Sequence, residues 1–533
     1  MNFLKRCWQK RWLRRLTWTA VTLVALCALF CAWVNWSGER QWRATQAMLK
    51  TEGETLDFRA TMNEPVPESE NFCAIPLLKD LALVLGDHPD NGEPGEKRKH
   101  LAALKLSPNA KAGARPISPK WKSFARPKLT NAALGKRADL HVWADWLRTE
   151  VLLPVPADSG NAARDVLAAL AKDDATVLEL AAALSRPYAH WTPEWKSREL
   201  PPLLANIALP HLTVAQGLNQ TLALRAIAAA RTGEAAKAHE AVLIIARLNQ
   251  ACLNDPFMIS ALVSYSGAAM LHGVTWELCT THTGTAEDFA KLETALAALD
   301  FHRAALLSWR SEMAAMVDTI QGMKTRRGET LGLFQMVSGD FMHRGSASDV
   351  ILRALPAGFC DASSAVLAGL EFRHIIKPLK EPGWQQALAS ARDLENEMIA
   401  MKQNAWMHPS YILPPMIVPA SRPFISRCAY SNALVNQAMI ACALERHRIA
   451  SGSYPDWLDA VRLAVGAPLP PDPMDGKPMR YRKTPDGKYA LWSIGFDGKD
   501  DGGKRTLDEK KPEDTRFQGA DYVGDWVWDF PAE

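Results

Sequence analysis

The chain has 533 residues, with 62 Lys and Arg against 58 Asp and Glu and a formal net charge of +4. A balance so near neutral says little about a partner by itself, and nine cysteines are too sparse for a disulfide-stapled scaffold. The length leaves room for two or three domains and a sizeable core.

Residues 1–15 form a basic segment, in which Lys5, Arg6, Lys10, Arg11, Arg14 and Arg15 have no acidic neighbour. From Leu16 to Gly38 no charge occurs, and a helix of that length, rising about 1.5 Å per residue, covers the roughly 30 Å hydrocarbon core of a bilayer. Trp8, Trp12, Trp18, Trp33 and Trp36 fall near the two interfaces. The positive-inside bias then puts the N-terminus in the cytoplasm and everything after Gly38 outside. The expectation is a single-pass, uncleaved signal anchor in the inner membrane. No small-x-small site closes the apolar run as cleavage would require. Cys27 and Cys31 follow the bulky Leu26 and Phe30, which argues against a lipoprotein site.

Six cysteines lie beyond the anchor: Cys73, Cys252, Cys279, Cys360, Cys428 and Cys442. They read mainly as small buried apolar residues. Cys428 and Cys442 share one predicted helix, about 21 Å apart along it, and cannot bridge each other.

Residues 39–159 read as an extended region. Within it, 97–137 carries twelve Lys and Arg and no Asp or Glu, interspersed with Pro, Gly, Ser and Ala. Such a stretch buries little apolar surface and is expected to be a solvated insertion. Contact with anionic lipid headgroups is the functional alternative. Nucleic acid is not an expected partner, because the stretch would lie outside the cytoplasm.

Between 160 and 405 apolar residues recur at three- and four-residue intervals, predicting an α-helical domain, either a bundle or a solenoid-like stack. The helical segments are 161–184, 211–233, 234–253, 255–279, 286–299 and 383–403. Asp255 and Pro256 are expected as N-cap and first helical residue. Gly233, Ala238 and Ala241 have the spacing of one tetratricopeptide-type unit, but the period does not repeat, so two ordinary packed helices are expected. Residues 406–423 form a Pro-rich connector that no helix crosses intact.

After the connector comes a predicted helix over 426–451, ended by Gly452. A shorter helix is expected at 456–465, then strands at 479–483 and 489–493 joined by Pro485-Asp486-Gly487. An Asp/Gly-rich loop closes the series. In ALERHRIASGSYP, DPMDGKPMRYR and LWSIGFDGKDDGG this part resembles the C-terminal domain of the type II secretion major pseudopilin, which implies an α+β fold over 424–533. The resemblance also implies calcium in the acidic loop. The candidate metal ligands are Asp497, Asp500 and Asp501, with Asp521 or Asp525 returning from the tail, since calcium takes six to eight oxygens. Lys499 stands where an EF-hand needs an oxygen. No Gly-Phe junction opens the anchor, so filament assembly is not expected to come with the domain.

No glycine-rich nucleotide loop, G-x-S-x-G elbow or HExxH helix occurs, so neither catalytic nor cofactor-binding residues are assigned. Cys279, His282 and His272 offer only three ligands in an apolar helical end, and Glu395 and Glu397 follow an exposed helical pattern. The fold expectation is mainly α: a transmembrane helix, an external helical domain and a small α+β module. The functional expectation is a membrane-tethered binding or scaffolding protein of the bacterial envelope, with protein partners there. A non-filament component of a secretion or pilus-like system is the alternative, and an envelope hydrolase the third reading.

Overall fold

The computed structural model describes residues 11–79, 127–129, 132, 135–149, 159–191, 209–325, 355–405, 407–505 and 523–531. Most of the basic stretch 97–137 therefore lies outside the described residues.

Helix α1 (Arg11–Thr51) continues well past the apolar run, at about 60 Å in all. Its two halves meet different surroundings. Leu16, Trp18, Leu23, Val24, Leu29, Trp33 and Trp36 point away from the protein, each more than half exposed. From Cys31 onward a stripe at three- and four-residue spacing, Val34, Gly38, Trp42, Thr45, Met48 and Leu49, turns inward. The region read as extended thus begins with the last turns of α1. It also contains helix α2 (Leu140–Thr149), whose Leu140, Trp143, Ala144 and Leu147 make one buried face.

The helical body follows as α3 (Ala162–Leu170), α4 (Asp174–Ala182), α5 (Pro210–Thr232), α6 (Ala235–Asn254), α7 (Met258–Thr280), α8 (Ala286–Ala297), α9 (Phe301–Thr325), α10 (Ala357–Glu371) and α11 (Gln385–Asn404). Helices α5 and α6 pack as a hairpin on Gly233, whose φ of 80° supplies the left-handed cap; Glu234 N–H then reaches the Ala229 carbonyl. Asp255 does not cap α7, which starts at Met258. Its carboxylate is taken instead by His211 Nε2 at 2.8 Å and Ser260 Oγ at 3.0 Å.

Helix α12 (Ser421–Ser451) starts five residues earlier than expected, inside the Pro-rich stretch, because Pro423 falls in the first turn where its missing N–H costs nothing. Within that stretch the described backbone forms only single turns, Pro409–Tyr411 and Pro414–Ile417. From Phe424 to Glu445 α12 is buried on nearly every side, against α7, α8, α9 and α11. Small residues make that possible: Cys428, Ala429, Ala433, Ala438, Ala441, Cys442 and Ala443 let its neighbours approach closely.

Strands β1 (Arg480–Lys483), β2 (Tyr489–Ser493) and β3 (Trp526–Trp528) form an antiparallel sheet in the order β1-β2-β3, with Tyr481 opposite Leu491 and Trp492 opposite Val527. The helix expected at 456–465 reduces to one turn, Leu458–Ala460. The physical reason is that Ala464 N–H is captured by Glu293 at 2.7 Å instead of closing a helical bond. One core cluster runs from Leu49 through the bundle to Trp528, so the sheet packs directly on the helices.

Candidate functional site

The C-terminal module carries the candidate site, and Asp472 holds it together. This residue is fully buried. Its Oδ1 accepts from Met474 N–H at 2.9 Å and Ser493 Oγ at 2.8 Å; Oδ2 accepts from Ile494 N–H at 3.0 Å and Arg480 Nη1 at 3.1 Å. The Asp-Pro-Met-Asp-Gly bend is thereby stitched to the end of β2. Burial still outweighs these donors and pushes the Asp472 carboxyl above the usual range. Arg480 reaches further, with two bonds to Asp475 at 3.1 and 2.5 Å and its Nε 3.7 Å from Asp500. That guanidinium holds Asp475 below the ordinary carboxylate range.

The acidic loop is shaped by glycines with positive φ at 495, 498, 502 and 503. Asp497 Oδ1 accepts from Lys499 N–H at 3.2 Å, and its Oδ2 from Gly524 N–H at 3.3 Å. Asp500 Oδ1 accepts from Trp492 Nε1 at 2.9 Å and Gly502 N–H at 3.0 Å. Trp492 is roofed by Gly503 on one side and by the Arg482 guanidinium, 5.5 Å from its ring centre. Asp525 returns from the tail and is 1% exposed; its Oδ2 accepts from Gly503 N–H at 2.8 Å, while Oδ1 is buried with no hydrogen-bond partner. Burial, then the Asp500 and Asp501 carboxylates, raise the Asp525 carboxyl above its usual value, against the pull of the Gly503 and Asp501 N–H groups.

Of the five expected metal ligands, Asp521 lies outside the described residues. Asp497 and Asp500 spend oxygens on the loop's own backbone, as Asx-type turns do. Among the described residues no group of three or more His, Cys, Asp or Glu side chains is placed to hold a metal ion. The described side chains do not, by themselves, complete a calcium shell; the one feature pointing towards a cation is the orphaned Asp525 Oδ1.

The module is tied to the helical body by a second buried set. Glu445 on α12 accepts from Tyr454 OH, from Arg448 Nε at 2.9 Å and from His282 Nδ1 at 3.2 Å. His282 is in the left-handed region at φ 52°, the one described non-glycine residue there. His272 Nε2 lies 3.2 Å from Gln437 Oε1, and Gln437 in turn donates to the Trp526 carbonyl at 2.6 Å. Burial lowers the His272 imidazole to about 4, so it stays neutral. Trp276 Nε1 donates to the Asp529 carbonyl at 2.6 Å. Cys279, His282 and His272 therefore serve packing and hydrogen bonding, and they do not converge.

A Ser, His and Asp do meet in the body, in the wrong order for nucleophilic catalysis. Ser260 donates to Asp255, not to His211, and all three are sealed from solvent. Two open grooves flank α1. One of about 400 Å³ lies between Ala44, Met48, Leu370, Met401 and Tyr411; the other, of about 340 Å³, is lined by Asn35, Glu39, Arg43, Lys324 and Asp361. Glu397, expected on an exposed helical face, meets His374 Nε2 at 3.0 Å beside the first groove.

Comparison with protein-family models, with curated proteins and with solved structures returns no match.

Proposed function

We propose that the chain is a membrane-tethered, extracytoplasmic binding or scaffolding protein of a bacterial envelope. One observation carries the reading: α1 exposes a long apolar surface between Leu16 and Trp36 and then packs its continuation into the body without a break. In water that surface would go uncompensated; in hydrocarbon it is satisfied. The basic residues ahead of it favour an N-terminus on the cytoplasmic side. Because helix and body are continuous, the anchor holds the body at a fixed height instead of on a slack tether.

The test is fractionation of the full chain. Resistance to alkaline carbonate and release by detergent are expected, as is digestion of the body by protease added from the extracytoplasmic side only. Recovery of the chain in the soluble fraction would overturn the reading.

The long helix followed by a three-stranded antiparallel sheet and an acidic loop supports a second reading, that of a non-filament component of a type II secretion or pilus-like system. Crosslinking in cells that express such a machine should then co-purify its components. Calcium belongs to the same reading. The ion would draw on Asp525 Oδ1 together with backbone carbonyls and water, as oxygen-only sites do. Calorimetry of the full chain should show calcium binding that Asp525→Asn removes; no heat at millimolar calcium would end this part of the proposal.

A further inference from the structure

Glu371 ends α10 and is 0% exposed, yet neither of its carboxylate oxygens has a hydrogen-bond partner. An ionised carboxylate in such a place is strongly disfavoured unless a cation or several donors meet it. Its charged neighbour is another acid, Glu312 of α9. The two helices run antiparallel, a register fixed at their other end, where Gln321 Nε2 donates to Ser364 Oγ at 2.8 Å and Lys324 pairs with Asp361. Counting back along α9 and forward along α10 by roughly two turns each places Glu312 across from Glu371.

Among the described residues no cation is recorded against either carboxyl. Arg310 and Lys380 both bind Glu54, Lys324 binds Asp361, Arg373 and His374 face Glu397, and Arg43 of α1 holds Glu39. His302 stacks edge-on against Trp384. Arg40, Lys50, Arg303, Lys377 and His408 are exposed. Asp318 on α9 adds a further negative group. Immediately after Glu371 the helix widens into a π-turn, Phe372–Ile376, a backbone form that commonly marks functional positions.

We infer that Glu312 and Glu371 are a proton-holding acid pair that makes the α9–α10 seam, and with it the docking of α1 on α10, responsive to pH. In the protonated pair Glu371 is neutral and the seam is closed. Glu312 is only half-buried and supplies the route by which the proton of Glu371 passes to water. Once both are ionised, two like charges face each other in the interior with no counter-ion among the described residues, and the seam loosens. Burial pushes Glu312 up to about 7; burial, then the charge of Glu312, pushes Glu371 well above the ordinary carboxylate range.

The sign follows from proton linkage. Both groups bind protons more tightly folded than unfolded, so their stabilisation is complete below the unfolded value of 4.5 and is lost as pH rises through about 7 and beyond. The test uses the full chain in detergent micelles, melted between about pH 5 and pH 8.5, with amide exchange read over 357–371. Wild type should lose melting temperature and α10 protection as pH rises. Glu371→Gln should melt higher than wild type at the alkaline end, by on the order of several degrees, with a flatter pH slope. It should also lose the infrared carbonyl band of a protonated carboxyl at neutral pH. Glu312→Gln, at a half-buried position, should likewise flatten the slope and decides the matter if the first variant fails to fold. An unchanged pH slope in the variants, or no protonated-carboxyl band in wild type, overturns the inference.

Discussion

Asp472 and Glu371 are both completely buried carboxylates, and the protein treats them in opposite ways. Around Asp472 two backbone N–H groups, a serine hydroxyl and an arginine converge. Around Glu371 nothing does. Burial raises the proton affinity of both; at Asp472 hydrogen bonds from Met474, Ser493 and Ile494 oppose it while the Asp475 charge adds to it, whereas at Glu371 the Glu312 charge adds to it and no hydrogen bond opposes it. The C-terminal module thus uses its buried charge to fix a loop, while the seam beneath the anchor keeps a charge that is tolerable only when neutral. A buried acid with several donors fixes structure even where burial keeps its proton affinity raised, as at Asp472, whereas one without donors has only a proton to neutralise it.

Removing the satisfied carboxylate should produce the largest loss. Asp472→Ala strands the Met474 and Ile494 N–H groups and frees Arg480 from one of its acids, at a cost of about 3–5 kcal/mol. Denaturant unfolding would measure it, with amide exchange showing the damage centred on 472–495. A loss below about 1 kcal/mol would mean that Asp472 is no keystone, and the contrast with Glu371 would collapse. The next effect tests how tightly α1 is coupled to the seam. Gly38 and Gly358 face each other so closely that a Cβ on either would strike the opposite backbone, and Asn35 Oδ1 accepts from Gly358 N–H at 2.8 Å. Gly358→Ala should therefore cost about 1–3 kcal/mol by overpacking, and it should weaken crosslinks between cysteines placed on α1 and α10.

Elements with a local signal were legible before any coordinates. The apolar run of α1, the three-to-four spacing in the body and the hairpin around Asp486-Gly487 follow from periodicity and turn chemistry, and the structure has helices or strands in each place. What escaped was non-local. Strand β3 is three residues long and joins the sheet across a wide gap in sequence, so neither period nor turn announces it. Gly38 and Gly358 carry no mark of each other. Glu445 sits in Glu-Arg-His-Arg near the end of the predicted helix 426–451 with no sequence mark of burial, yet it is buried with Tyr454 and bonded to Arg448. Glu312 and Glu371 lie outside the helical segments picked out along the chain and carry no sequence mark of burial. Burial of a charge is decided by the facing helix, and a single sequence does not name that helix. Asp497, Asp500, Asp501 and Asp525 were visible as an acidic Asp/Gly pattern, but the hydrogen bonds that occupy Asp497 and Asp500 come from backbone geometry.

Glu293 offers the intermediate case and the smallest effect. It is buried on α8, accepts from Arg446 Nη1 at 2.9 and 3.1 Å and from Ala464 N–H at 2.7 Å, and so has more than Glu371 and less than Asp472. Burial raises its carboxyl, while Arg446 and Ala464 pull it back only part of the way. The folded state therefore holds the proton more tightly than the unfolded state. The resulting stabilisation is present below 4.5 and fades as pH climbs through the folded value. Glutamine keeps an oxygen for Ala464, and Arg446 retains the Arg462 carbonyl at 3.3 Å. Glu293→Gln should then stay within about 1 kcal/mol of wild type near neutral pH, and compare least favourably in acid, where the wild-type carboxyl is already neutral. Melting curves of both proteins across the acidic range would show it. A loss as large as that of Asp472→Ala would put Glu293 among the keystones, and two donors would then suffice to make a buried acid structural.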